Sequence, residues 1–139
     1  MEVEIDAPRE RVWAKLTDFA GFPQWNPFIT HLSGELAVAA RLSTTYSFPD
    51  GGETRLHPEI VVLHPPRELR WRSRWWLPSM LSVEYFWLLA ETRGGATRFA
   101  QGENLSGLAV KYLGQRHTRM ARGMVAMNQA LKRRAESAR

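Results

Sequence analysis

IDAPRERVWAKLTDFAGFPQWNPF, residues 5–28, decides how the rest of this 139-residue chain is read. Pro8 suits the opening of a helix, because the N–H that proline lacks would be unpaired there anyway. Glu10 then falls in the first turn, where the helix dipole favours an anion. Val12, Leu16 and Phe19 recur at helical spacing with Trp13 beside them. Asp18 closes this helix or caps the next. Gly21 and Pro23 restart a short helix bearing Phe22 and Trp25, and Asn26-Pro27 ends it, since a residue before proline is pushed out of helical geometry. A plain connector needs no such load of aromatic groups. The segment is either a plug at one end of a hydrophobic core or the lid of a pocket.

Working outward, Met1–Ile5 alternates as a short strand. After the segment, residues 28–37 lead into a strand over 41–48, with Leu42, Thr44, Tyr46 and Phe48 on one face. Pro49-Asp50-Gly51-Gly52 is a turn. Residues 55–63 read as one strand, stopped by His64-Pro65-Pro66. Residues 68–74 alternate, with Leu69 and Trp71 opposite Arg70 and Arg72. Residues 75–80 read as a loop or wide bulge, in which Trp75-Trp76 is a dimer contact, a pocket lid or local packing. Residues 82–93 and 96–105 form a hairpin about Gly94-Gly95. The remainder, from Gly107, reads as one helix of some 28 residues, whose stripe Leu113, His117, Met120, Met124, Met127, Leu131 steps by 4, 3, 4, 3, 4. Gly114 and Gly123 inside it cost roughly 1 kcal/mol each against alanine, so a close approach or a slight kink is expected.

Composition bounds the function. The length and 44% hydrophobic content fit a single globular domain over residues 1–139. No apolar run approaches the roughly 20 residues of a membrane span, which argues against integral membrane association. The N-terminus has no signal-peptide core, and the absence of cysteine removes disulfides, thiol nucleophiles and cysteine metal sites. A cytoplasmic location fits these features. The net charge of +5 invites a nucleic-acid reading, but the arginines are dispersed, and a solvated basic surface is favoured. His57, Glu59 and His64 lack recurring ligand spacing, so no metal is expected. No phosphate-binding loop, dinucleotide fingerprint or nucleophile elbow is present, and no cofactor is expected.

With these elements in order, the chain resembles a known family. IDAPRERVWAKLTDFAGFPQWNPFI, PPRELRW at 65–71 and GGATRFAQGENLSG at 94–107 are similar to the START-like superfamily, and within it to the bacterial group of polyketide cyclase/dehydrase or SRPBCC domain proteins. The resemblance implies an α+β helix-grip (Bet v 1/START-like) fold. In that fold a curved antiparallel sheet of about seven strands wraps round a long C-terminal helix, with two short helices after the first strand and a hydrophobic cavity between sheet and helix. Where many relatives have glycine in the turn after the second strand, this chain has Ala39-Ala40.

Strand parity then nominates a lining. Tyr85, Trp87 and Leu89 share one face of the penultimate strand, and Phe99, Gln101, Glu103 and Leu105 one face of the last. Leu42, Thr44, Tyr46, Leu69 and Trp71 continue it. From the long helix come Leu113, His117, Met120 and Met124, with Trp25 under the short helix or at the pocket mouth. Glu103 has two readings: paired with an arginine or capping the last helix, or an acid, base or ligand anchor inside an apolar pocket. His117 is a hydrogen-bonded wall residue or a proton-transfer group. Asn26 is a turn former.

Two functions from different classes follow. In the first, the chain is a carrier or sensor that binds an apolar or aromatic small molecule, lipid-like or polyketide-like. That requires an enclosed cavity of roughly 300 Å³ or more. In the second, it is a cyclase or dehydratase in which Glu103, His117 and a tyrosine (Tyr85) move protons. Superfamily analogy adds a third, a protein-interaction domain. A homodimer is one further reading of the partners.

Overall fold

The computed structural model describes residues 1–74, 79–114 and 116–137. The expected loop at Trp75-Trp76 therefore lies mostly outside the described residues. The chain is α+β. Strand β1 (Glu2–Ile5) leads to helix α1 (Arg9–Thr17), a 3₁₀ turn (Phe19–Gly21) and helix α2 (Phe22–Trp25). Strands β2 (Ile29–Ser33), β3 (Ser43–Ser47), β4 (Glu53–Leu56), β5 (Glu59–His64), β6 (Glu68–Arg74), β7 (Ser82–Glu91) and β8 (Thr97–Ser106) follow. A second 3₁₀ turn (Leu108–Tyr112) precedes helix α3 (Arg116–Ser137).

All pairings among the described residues are antiparallel. Five strands run in the order β1-β8-β7-β6-β5, and three in the order β2-β3-β4. The two sheets join at residues 39–42. Ala39 N–H donates to the Ile60 carbonyl at 2.8 Å, Ile60 N–H to Ala40 at 2.9 Å, and Leu42 N–H to Pro58 at 2.7 Å. Irregular register at Ile29/His31 and Ile60/Val62 marks bulges, which bend a sheet so that it can wrap a helix.

Two expectations are corrected here. Residues 55–63 are not one strand. Pro58 cannot donate to a ladder, and the chain changes sheets across His57-Pro58, so the described residues form eight strands where about seven were expected. Nor does one helix run from Gly107. Gly114 adopts φ +57, a left-handed conformation that ends the 3₁₀ turn and separates it from the 22-residue α3. Leu113 therefore lies before the helix, half-buried, and His117 in its first turn is exposed. The buried stripe begins at Met120 and continues through Gly123, Met124, Met127, Asn128 and Leu131. Ala39, where the expected glycine is missing, still takes a positive φ of 72.

The opening segment closes one end of the grip. Val12, Trp13 and Leu16 of α1 are buried. Phe22 is fully buried, with its ring 5.2 Å from Trp25 and 6.3 Å from Trp87. Pro8 stands just before α1 and its carbonyl accepts the first helical bonds, from Arg11 and Val12. Asn26 forms the turn as expected, its Oδ1 accepting the N–H groups of Phe28 and Ile29 at 3.0 and 2.9 Å. Phe28 then enters the centre of the molecule, 5.2 Å from Tyr46 between ring centroids.

Candidate functional site

Alternation along the strands sends the largest side chains inward. Every odd residue from Val83 to Leu89 is buried, and every even one from Ser82 to Leu88 is only partly so. Tyr46, Trp71, Tyr85 and Trp87 consequently meet in one aromatic cluster. Trp71 stacks on Tyr85 at 5.0 Å with the planes 9° apart, and meets Trp87 edge-on at 4.9 Å. Tyr46 lies 6.1 Å from Tyr85. Offset stacking and edge contacts of this kind each add roughly 0.5–1.5 kcal/mol beyond burial. The aromatic part of the interior is thus ring against ring.

Polar atoms thread through this apolar interior. Trp71 Nε1–H donates to the Tyr46 hydroxyl at 3.1 Å. The Tyr85 hydroxyl donates to Gln101 Oε1. Gln101 Nε2 donates in turn to Asn128 Oδ1 at 2.6 Å and to the Met124 carbonyl at 3.3 Å. Gln101 is 1% exposed, and through it β7, β8 and α3 share one hydrogen-bond chain. Burial raises the Tyr46 and Tyr85 hydroxyls above the usual phenol range, so both remain neutral donors at physiological pH. The buried indole N–H of Trp87 makes no well-formed hydrogen bond among the described residues.

Beside Gln101 a cavity of about 220 Å³ opens between β8 and the first turns of α3. β1 pairs with β8 as far as Ala100, and Met1 adds one further pair, its amino group donating to the Gln101 carbonyl at 3.0 Å and its carbonyl accepting from the Gln101 N–H at 2.9 Å. Met1, Phe86, Gln101, Gly102, Glu103, Asn104, His117, Met120, Ala121 and Met124 line it. Glu103 is held at its rim. Arg116 Nη1 and Nη2 donate to the two Glu103 oxygens at 2.7 and 3.1 Å, a bidentate pair whose side chains are 9% and 23% exposed for glutamate and arginine. Of the two readings of Glu103, pairing with an arginine is the one that forms.

The cavity brings together Gln101, Glu103, His117, Met120 and Met124. It is a half-open cleft and not the enclosed cavity of roughly 300 Å³ or more that carrier binding was expected to require, because Tyr46, Trp71, Tyr85 and Trp87 fill the space behind Gln101 with their own contacts. Leu42, Leu69 and Phe99 are core residues. Trp25 is elsewhere, half-buried beside Ala130, Arg133 and Arg134 in a separate surface cleft. Arg116, Asn128, Phe86 and Gly102 were not foreseen. Asn128 sits on the flank of the methionine stripe, four residues after Met124, and that spacing was its signal. Gly102 faces the Phe86 ring so closely that a Cβ would lie 2.8 Å from it; nothing in strand parity announces such a contact. Among the described residues no three His, Asp or Glu side chains gather as metal ligands, and no helix is long and apolar enough to cross a membrane.

A bent antiparallel wall holding one long helix defines the helix-grip fold. The family model for polyketide cyclase / dehydrase and lipid transport proteins matches residues 1–136, and the chain belongs to that family. Solved structures agree on the fold. The di-domain ARO/CYC BexL is similar at 19% identity with a TM-score of 0.71, over 100% of this chain and 49% of its own. This chain therefore spans about half the length of that di-domain protein. Ara h 8.0201 is similar at 13% identity and TM-score 0.71, over 99% of this chain and 95% of its own. A protein from Nitrosomonas europaea shows 18% identity and TM-score 0.67, over 96% and 93%. A search of curated proteins finds no match.

Proposed function

We propose that this protein binds a small apolar or aromatic molecule carrying at least one polar group, as a carrier or sensor, in the cleft between β8 and the start of α3. The observation that carries the reading is the position of Gln101: almost wholly buried, yet on the wall of the cavity and at the hub of the chain from Tyr85 to Asn128. Its neighbours Met120 and Met124 supply adaptable apolar surface. The cleft is half-open, and its volume of about 220 Å³ restricts a ligand held within it to a small one. A longer lipid-like or polyketide-like chain requires α3 to move away from β8. The family description, with its lipid transport and polyketide chemistry, supports a hydrophobic ligand class.

The second reading is cyclase or dehydratase chemistry by Glu103, His117 and Tyr85. One observation favours it, that Glu103 and His117 line the same cavity. Against it, both Glu103 oxygens are engaged by Arg116, His117 is exposed, and the Tyr85 hydroxyl is bonded to Gln101. Ligand binding is therefore the better-supported function. Native mass spectrometry of protein purified without denaturant, followed by organic extraction, tests it. A discrete co-purifying apolar compound is the expected result. Release of that compound unchanged on denaturation, with no turnover in the presence of excess, separates carrier from enzyme.

A further inference from the structure

At the far side of the wall, where the chain passes from β4 to β5, the sheet parts. Only the strand-to-strand bridge of Arg41 with Glu59 and its neighbouring bonds hold the two sheets together there among the described residues. A cleft of about 390 Å³ opens at this seam. Three guanidinium groups, Arg41, Arg72 and Arg74, line it with His57, and Glu59 is its one carboxylate. Leu56 and Ser73 complete the lining. Leu56 packs against the hydrophobic core, so the cleft is basic with an apolar patch at its base.

These cations are not spent within the described structure. Arg70, on the same face of β6, is neutralised by Glu68 and Glu84 and lies over the Phe86 ring. Arg72 stands between Glu84 and Glu59 in register. Glu84 is nonetheless given to Arg70, and no described carboxylate comes within ion-pair distance of Arg41, Arg72 or Arg74. Arg41 is oriented, its Nη1 donating to the His57 carbonyl at 2.9 Å, with the rest of the fork left over. Three positive groups against one negative leave +2 on the cleft, which matches the roughly −2 of a phosphate monoester near neutral pH. A guanidinium fork suits phosphate oxygens, which it meets with two parallel charge-assisted bonds.

We propose that this seam is a binding site for a phosphate group, separate from the cleft at Gln101 and independent of what that cleft holds. The phosphate is either the free ion or the head of an ester whose organic part rests on Leu56. Because the site is partly open, its affinity falls as salt rises.

The test follows the arginine Nε–H signals of the full chain by NMR during titration with inorganic phosphate and, separately, phenyl phosphate, with ionic strength held constant by chloride. Saturable shifts confined to Arg41, Arg72 and Arg74 support the site. Equal affinity for the two probes assigns the free ion, and tighter binding of phenyl phosphate assigns an ester. The double variant R41Q/R72Q weakens binding at least tenfold, and R74Q, at an exposed strand end, weakens it severalfold without a folding role. R93Q, in the β7–β8 turn, leaves it unchanged. Absence of saturation with both probes, or undiminished binding in folded R74Q and R41Q/R72Q, overturns the proposal.

Discussion

Gly123 and Phe28 occupy each other's space: a Cβ built on Gly123 would stand 2.1 Å from Phe28 Cδ1 and 2.4 Å from Cε1. No real Cβ contact is that short, so the glycine in the middle of α3 is the seat of the phenylalanine that ends the opening segment. This contact sets how closely the long helix lies against the rest of the core. The roughly 1 kcal/mol that an interior glycine costs a helix is offset by letting Phe28 pack beneath it.

Gly123→Ala therefore destabilises the protein although it improves helix propensity. Overpacking of a filled core typically costs 1–3 kcal/mol, and Phe28 is fully buried with little room to yield. Urea unfolding shows a lower midpoint at unchanged slope. Adding Phe28→Leu recovers part of the loss. A Gly123→Ala variant as stable as the parent contradicts the packing described.

The buried tyrosines give the fold an alkaline limit. In the unfolded chain a tyrosine loses its proton near pH 10, whereas burial holds the Tyr46 and Tyr85 protons in place well above that in the fold. Above pH 10 the unfolded state binds fewer protons than the native one, so stability falls as pH rises, by up to about 1.4 kcal/mol per pH unit for each tyrosine. Below pH 10 their contribution is fully present. Chemical unfolding between pH 8 and 11 shows this decline, and Tyr46→Phe or Tyr85→Phe makes it shallower. Ionisation of both at pH 10 in the folded protein, seen as phenolate absorbance, contradicts it.

Gln101→Leu strands the Tyr85 hydroxyl and Asn128 together. Each buried group left without a partner costs roughly 1–3 kcal/mol, and the variant loses stability by several kcal/mol. Tyr85→Phe in that background restores part of it, because the orphaned hydroxyl goes too. Losses from Gln101→Leu and Tyr85→Phe that simply add in the double variant, measured by denaturant unfolding, show that the two side chains are not coupled.

Arg116 and Glu103 fasten the start of α3 to β8. Their coupling in a double-mutant cycle, with Arg116→Gln, Glu103→Gln and the pair, is about 1 kcal/mol, more than most surface pairs give, because the glutamate is largely buried. It declines in high salt only modestly. A coupling near zero removes this latch from the account.

Most of the fold was readable because period and punctuation are local. The alternation of Tyr85, Trp87 and Leu89 placed the burial of β7, and Gly94-Gly95 placed its hairpin. The change of sheet at Pro58 and the break at Gly114 were written in single residues, but within hydrophobic patterns that continued across them. The site was less readable. Parity puts Gln101 and Glu103 on the inner face, yet it does not say that four aromatic rings fill the space behind Gln101, or that Arg116, one residue before His117, turns towards Glu103. Those outcomes depend on side-chain volume and on contacts across more than a dozen residues of chain.

The central claim is that the cleft at Gln101 receives a small aromatic molecule. The most direct measurement follows the methionine ε-methyl and Gln101 side-chain amide NMR signals while 1-naphthol, a two-ring probe with one hydroxyl, is added. Saturable shifts are expected at Met120, Met124 and the Gln101 amide, those at the two methionines being lost in folded Gln101→Leu, with the exposed Met80 unaffected. Shifts that never saturate, or that fall on Met80 while Met120 and Met124 stay still, contradict it.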